Sequence, residues 1–152
     1  MGSPARLAAL GLAAFACAGS PPMPGGGSGG SRLAPCPGTP NCVASDADDA
    51  KHRVDAFALD PRVEPAVAWA GVREAVAALP RTRIVEEAPG YLRAECRSRL
   101  FRFVDDLELE LRTGERRIAV RSASRVGRSD FGVNRARVDQ LRSLLRERSL
   151  AR

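Results

Sequence analysis

The stretch Phe101–Arg125, FRFVDDLELELRTGERRIAVRSASR, decides the fold. Over Phe101–Leu111, the apolar Phe101, Phe103, Leu107, Leu109 and Leu111 alternate with Arg102, Asp106, Glu108 and Glu110. That is the two-residue period of a strand with one buried face. Arg112-Thr113-Gly114-Glu115 reads as a hairpin turn in which Gly114 supplies a positive φ. The return strand, Arg116–Arg125, sets Ile118, Val120, Ser122 and Ser124 on one face and Arg117, Ala119, Arg121 and Ala123 on the other. Pairing Leu111 with Arg116 places Leu109 opposite Ile118, Leu107 opposite Val120, Glu110 opposite Arg117 and Asp106 opposite Arg121. This register matches apolar with apolar and acid with base, and predicts a charge-paired, solvated outer face. Asp105 breaks the pattern, because its parity turns it toward the core opposite Ser122. Either a bulge at Val104-Asp105-Asp106 shifts the phase, or a buried carboxylate finds donors in Ser122, Ser124 or an arginine. Such a network is structural, or it belongs to a ligand site.

Working outward, Pro65 opens a helix that ends before Pro80, with Trp69, Val72, Val76 and Leu79 on one stripe. Trp69 is a core anchor in this reading. Thr82–Glu87 and Tyr91–Ser98 are strands joined at Pro89-Gly90, and Val54–Leu59 is a short strand. The last helix begins near Asn134 as N-cap, with Val133 and Val138 as a hydrophobic staple and Val138, Leu141, Leu144 and Leu145 buried. The fold class is therefore α+β: an antiparallel sheet of four to five strands with two helices packed on one face.

The first residues give an address. Arg6 followed by the apolar Leu7–Phe15 has the form of an export signal. Ala14-Phe15-Ala16-Cys17 resembles a lipobox, after which the cysteine is lipidated; the alternative is an ordinary secretory signal cut near Ala16 or Ala18. Residues 1–17 are thus a lipoprotein-type signal ending at Cys17, and 18–34, with Pro21, Pro22, Pro24 and a glycine run, a flexible tether. Random-coil scaling gives that tether a span of roughly 20–25 Å. Residues 35–152 form a single globular domain. The location expected is the cell envelope, lipid-anchored on the periplasmic or extracytoplasmic side, with secretion as the alternative. Cys36 and Cys42 flank a turn-rich loop and suit a disulfide, worth on the order of 2 kcal/mol by the chain-entropy estimate. Cys96, in phase with Leu92 and Ala94, reads as a buried, unreactive thiol.

Other classes are set aside by what the sequence lacks. No apolar run reaches the ~20 residues of a membrane-spanning helix, so a helical transporter or channel is not expected. One histidine and four cysteines leave little for a metal site, and neither phosphate-loop nor dinucleotide glycine motif occurs. No metal and no cofactor is expected.

Three motifs resemble one family. They are Pro35-Cys36-Pro37-x-Thr39-Pro40-Asn41-Cys42-Val43, then Phe103-Val104-Asp105-Asp106, then Val120-Arg121-Ser122-Ala123-Ser124-Arg125-Val126-Gly127 running on to Ser129-Asp130-x-Gly132-Val133-Asn134-Arg135-x-Arg137. The family is domain-of-unknown-function family 1499, found in bacterial envelope proteins, and the resemblance covers roughly Leu33 to Leu145. His52-x-Val54 is similar to the family's short histidine segment, with Ala56 where a proline is usual. The resemblance implies no established activity.

Function must then come from the site. Residues 116–152 hold 11 arginines against three acids, whereas residues 1–115 hold 13 bases and 15 acids. A basic C-terminal part suits an anionic small molecule or lipid headgroup, or is solvated helix surface. Nucleic acid fits poorly, given one Tyr and one Trp. The first reading is a non-catalytic domain that binds an anion through Arg121, Arg125, Asp130, Asn134 and Arg135 around the loop Arg125–Asn134. The alternative is an envelope hydrolase or transferase using Asp105, Ser122 or Ser124 and Arg125, with Asp106 in the same network and His52 as a base if the N-terminal segment folds over the loop. The lipobox has a direct test. Cys17→Ser should move the protein from the membrane fraction to the soluble one; unchanged membrane association contradicts lipidation.

Overall fold

Alternation in β5 (Val104–Arg112) and β6 (Arg117–Ser124) produces an antiparallel hairpin at the centre of the sheet. The computed structural model describes residues 31–98 and 103–152. The export signal, Cys17, the tether as far as Gly30, and Phe101 with Arg102 lie outside the described residues.

The hairpin's register differs by two residues from the one read off the charges. Leu111 pairs with Ile118, Leu109 with Val120, Leu107 with Ser122, Glu108 with Arg121, Asp106 with Ala123 and Asp105 with Ser124. The turn is longer than a tight hairpin. Thr113–Glu115 forms a 3-10 turn, and Arg116, not Gly114, takes the left-handed conformation at φ 48°. Arg116 leaves the ladder because its guanidinium is used elsewhere, donating to the carbonyls of Asp60 (3.2 Å), Pro61 (3.3 Å) and Val63 (2.9 Å). A two-residue slide preserves which side chains face the core, since the side-chain period is two. The strand also begins later than expected: Phe103 precedes it and is 53% exposed.

The sheet runs β1-β6-β5-β4-β3, with β1 (Cys42–Ala44), β3 (Thr82–Ala88) and β4 (Tyr91–Arg97). The very short β2 (Phe57–Ala58) pairs with β6 beside β1, so six strands make five positions. Val54–Leu59 is not one alternating strand; Val54, Phe57 and Leu59 are all buried, and only Phe57 and Ala58 join the ladder. Two helices cover the inner face. Helix α1 (Pro65–Ala77) starts at its proline and buries Ala68, Val72, Ala75 and Val76, with Trp69 partly buried against the core. Helix α2 (Val133–Glu147) buries Val138, Leu141 and Leu145 on the same cluster as Leu92, Leu107, Leu109, Ile118 and Val120.

The outer face is the main departure from expectation. It is charge-paired but not solvated: Arg121 is fully buried, and Asp106 and Glu108 are nearly so. The segment ahead of β1 lies over it. Leu33 packs on Tyr91 and Ala119, and the Ser31 hydroxyl donates to Glu110 at 2.8 Å. Among the described residues packing therefore reaches back to Ser31, within the stretch that composition assigns to the tether. The Cys36–Cys42 disulfide joins this cover to β1, with Cα atoms 5.6 Å apart, and Cys96 is free and buried.

Arg121 donates to Glu108 at 2.6 Å, and Glu108 accepts from the Tyr91 hydroxyl at 2.9 Å. Breaking one side of a buried pair leaves a desolvated charge, a loss of about 3–5 kcal/mol. Arg121→Ala should therefore cost that much in urea denaturation, and Arg121→Met with Glu108→Gln should recover most of it. An Arg121→Ala protein within about 1 kcal/mol of wild type would show the pair to be dispensable.

Candidate functional site: an arginine-lined cavity beside a buried polar network

The loop between β6 and α2 is built around Asp130. Its Oδ1 accepts from the Gly132 N–H (3.0 Å) and its Oδ2 from the Asn134 N–H (2.8 Å). Gly132, at φ 82°, is the residue before the helix, so the cap expected at Asn134 is supplied by Asp130 from two residues further back. Val133 is exposed and is the first residue of α2, after the Gly132 cap, so it does not occupy the staple position expected of it.

Asn134 instead lies inside the first turn, fully buried. Its Oδ1 accepts from the Ser122 hydroxyl (2.6 Å) and from Arg137 Nη1 (2.7 Å). Its Nδ2 donates to Asn41 O (3.1 Å), Ser124 Oγ (3.0 Å) and Asp130 Oδ2 (2.8 Å). Arg137 Nη1 also donates to Ser122 Oγ at 2.9 Å, and Nη2 meets Asp105 at 2.6 Å. This answers the question posed by Asp105. The ladders on both sides of it run without a register shift, so no bulge rescues it, and an arginine from α2 reaches in instead. The network continues outward. Asn41 Nδ2 donates to Gly127 O (2.7 Å), the Thr39 hydroxyl donates to Asn41 Oδ1 (2.7 Å), and His52 Nε2 lies 3.1 Å from Thr39 O. His52 Nδ1 pairs with Asp49 at 2.8 Å.

The arginines expected beside this loop are elsewhere. Arg121 and Arg125 share a parity that puts them on the outer face, behind the sheet from Asn134. Arg125 binds Asp106 (2.8 and 2.7 Å) and Glu95 (2.9 Å), and Arg93 adds a bond to Asp106 at 3.2 Å. Arg135 is spent on the carbonyls of Arg53 and Lys51, both at 2.9 Å. Arg121, Arg125, Asp130, Asn134 and Arg135 therefore do not form one binding site. The hydrolase set does not assemble either: Arg125 is on the far face, Asp105 is paired with Arg137, and Ser122 Oγ already accepts from Arg137 while donating to Asn134. His52 meets a carbonyl rather than a serine.

What the inner face offers is a cavity of about 300 Å³ where β3, β4 and α2 meet. Arg81, Arg97 and Arg137 line it with Thr82, Cys96 and Ser98, and among the described residues no aspartate or glutamate does. Arg81 Nε donates to the backbone carbonyl of Arg97 at 3.1 Å, and the Arg97 guanidinium lies 3.7 Å from Glu95. Cys96 is held as a neutral thiol: burial pushes it above the ordinary value, and the Thr82 hydroxyl donates to it at 3.4 Å. Sequence reading does not find this site because its three arginines come from three elements and share no spacing. Arg81 immediately precedes β3, Arg97 ends β4 and Arg137 lies in the second turn of α2, so only the antiparallel pairing and the seating of the helix bring them together. Among the described residues no cluster of His, Cys, Asp and Glu is placed to hold a metal, and no helix is long and apolar enough to cross a membrane.

Fold and network together define an α+β domain with a strapped antiparallel sheet and a polar hinge between sheet and last helix. The chain belongs to the family described as Protein of unknown function (DUF1499), which matches residues 32–145. No curated protein and no solved structure matches it.

Several carboxylates are held below their ordinary range. For Asp130, burial acts to raise the value, and the N–H groups of Asn134 and Gly132 with the Asn134 amide outweigh it. For Glu95 burial likewise acts upward, and Arg125 and Arg83 prevail. Hydrogen bonds from Arg62 lower Asp60, and those from His52 lower Asp49. A depressed carboxylate stabilises the fold above its unfolded value of about 4 and loses that contribution as pH falls through the folded value. The melting temperature should fall steadily below about pH 4, and Asp130→Asn should make that slope shallower. An unchanged slope in the variant would mean that Asp130 is not among the groups responsible.

Proposed function

We propose that this protein is a membrane-tethered envelope lipoprotein whose domain binds a small anionic ligand without transforming it. The observation that carries this reading is the cavity at Arg81, Arg97 and Arg137. Its volume of about 300 Å³ lies at the small end of ligand pockets. Arg81, Arg97 and Arg137 all contribute to the lining; Arg137 is paired with the buried Asp105, Arg97 Nη2 lies 3.7 Å from Glu95, and the Arg81 guanidinium has no carboxylate partner among the described residues. A phosphate or carboxylate oxygen at Arg81, within reach of Arg97, gains charge-assisted bonds there. Leu79, Val133 and Ala136 give an apolar wall for the ligand's carbon skeleton. Cys96, the strongest nucleophile type on the wall, is kept as a neutral thiol, which favours binding over chemistry.

The envelope part of the reading is supported by the lipobox-like Ala14–Cys17, the glycine run behind it and the Cys36–Cys42 bridge. Disulfides of this kind belong to oxidising compartments.

Calorimetric titration of the full chain with inorganic phosphate tests the cavity. Arg81→Gln and Arg97→Gln should each weaken binding tenfold or more, the size of one lost charge-assisted bond of about 1.5–3 kcal/mol. Their melting temperatures should stay at the wild-type value, since both side chains are exposed outside the core. Absence of phosphate binding by the wild type, or binding unaffected by both variants, rejects the proposal.

A further inference from the structure

The pairing registers bring one end of the sheet into a single surface. Thr82 pairs with Cys96, Arg97 with Val104, and the Arg125 N–H donates to Val104 O at 3.2 Å. Arg81, Arg97, Phe103 and Val126 therefore lie at one end, and Val133 opens α2 there, lining the same cavity as Ser98. Among the described residues, five large apolar side chains are exposed: Val67, Phe103, Val126, Phe131 and Val133. All but Val67 belong to this end.

Phe131 is the most exposed of them, at 97%. It is not at the tip of a loose loop. Its φ of 53° is a left-handed conformation that an aromatic residue seldom adopts, and it is held by the Asp130–Gly132 bond on one side and the start of α2 on the other. A strained backbone that presents an aromatic ring to water has no folding rationale in the contacts around it. The charge around the ring is one-sided. Arg81, Arg97 and Arg128 are at this end, and Arg128 has no partner among the described residues. Of the nearby carboxylates, Asp130 is turned into the helix cap, Asp106 onto Arg125, and Glu95 onto Arg125 with Arg97 at 3.7 Å, which leaves Arg81 and Arg128 as the cations without a carboxylate among the described residues.

We infer that this end, with Phe131 at its centre, docks on an anionic bilayer surface. Aromatic rings settle at the headgroup level, arginines beside them meet anionic lipid, and their apolar stems remain in the interface. The length of the chain ahead of the domain permits it. Ser31 is fixed to Glu110, about 20 Å along β5 from Val104 at the rise of an extended strand. Residues 18–30 can extend to roughly 45 Å. A domain anchored at Cys17 can therefore lie with the Phe131 end against the membrane that holds the anchor. The inference uses the proposed anchor for its reach and does not need the cavity to be occupied.

The test uses the full chain on vesicles, with Trp69→Phe and Phe131→Trp so that position 131 carries the only tryptophan. With phosphatidylglycerol vesicles containing brominated acyl chains, the emission should shift to the blue and be quenched at least twofold; with phosphatidylcholine vesicles it should do neither. A second reporter, Val67→Trp with Trp69→Phe and native Phe131, should stay unquenched in both. Retention on neutral vesicles reads the anchor and quenching of the indole at position 131 reads the loop, so the two can fail separately. Emission from position 131 that anionic vesicles leave unchanged, or equal quenching of the reporter at position 67, overturns the inference.

Discussion

Asn134 is the point at which the chain's separate parts are tied together. One buried amide bonds to β6 through Ser122 and Ser124, to the residue before β1 through Asn41 O, to the loop through Asp130 and to the next turn of its own helix through Arg137. Removing it would orphan several buried polar groups at once, each at about 1–3 kcal/mol. The seating of α2 on the sheet follows from it. So does Arg137, whose guanidinium is positioned by Asn134 on one nitrogen and by Asp105 on the other, and which forms one wall of the cavity. A buried carboxylate in the middle of an apolar strand face thus has a role: it draws an arginine from the helix to the sheet's end.

The opposite face of the sheet solves a different problem. Glu95, Asp106 and Glu108 meet Arg93, Arg121 and Arg125 in a ladder that is almost wholly out of water. Such pairs are weak sources of stability when compared with apolar side chains, because desolvation offsets the attraction. What they do here is fix register and consume charge. The segment from Ser31 to Cys36 can pack over them only because they are neutralised, and the disulfide closes that cover onto β1. The arginine-rich half of the chain is therefore far less available to partners than its net charge suggests.

The fold was legible where periodicity governs. Leu107, Leu109, Leu111, Ile118 and Val120 declare the central hairpin, Pro65 declares the start of α1, and the Cys36–Cys42 loop declares its bridge. The register was not, because charge matching favoured Glu110 with Arg117, whereas carbonyls near Asp60 take Arg116 out of the ladder. Position-by-position reading also missed burial of the outer face, since the cover arrives from a stretch whose glycine-rich neighbourhood resembles a linker. Asn134 looked like a cap because it precedes an apolar helix stripe, yet Asp130 holds the helix start from outside and frees Asn134 for the core. The cavity depends on Arg81, Arg97 and Arg137 meeting across three elements, a juxtaposition that only the tertiary fold produces.

The functional claim rests on that juxtaposition and on a cavity wall without an acid among the described residues. Hydrogen exchange of the full chain, read by mass spectrometry with and without inorganic phosphate, addresses it most directly. The account predicts slowed exchange confined to peptides covering Arg81–Thr82, Cys96–Ser98 and the first turns of α2 through Arg137. Protection centred on Arg121–Arg125, or none anywhere, would contradict it.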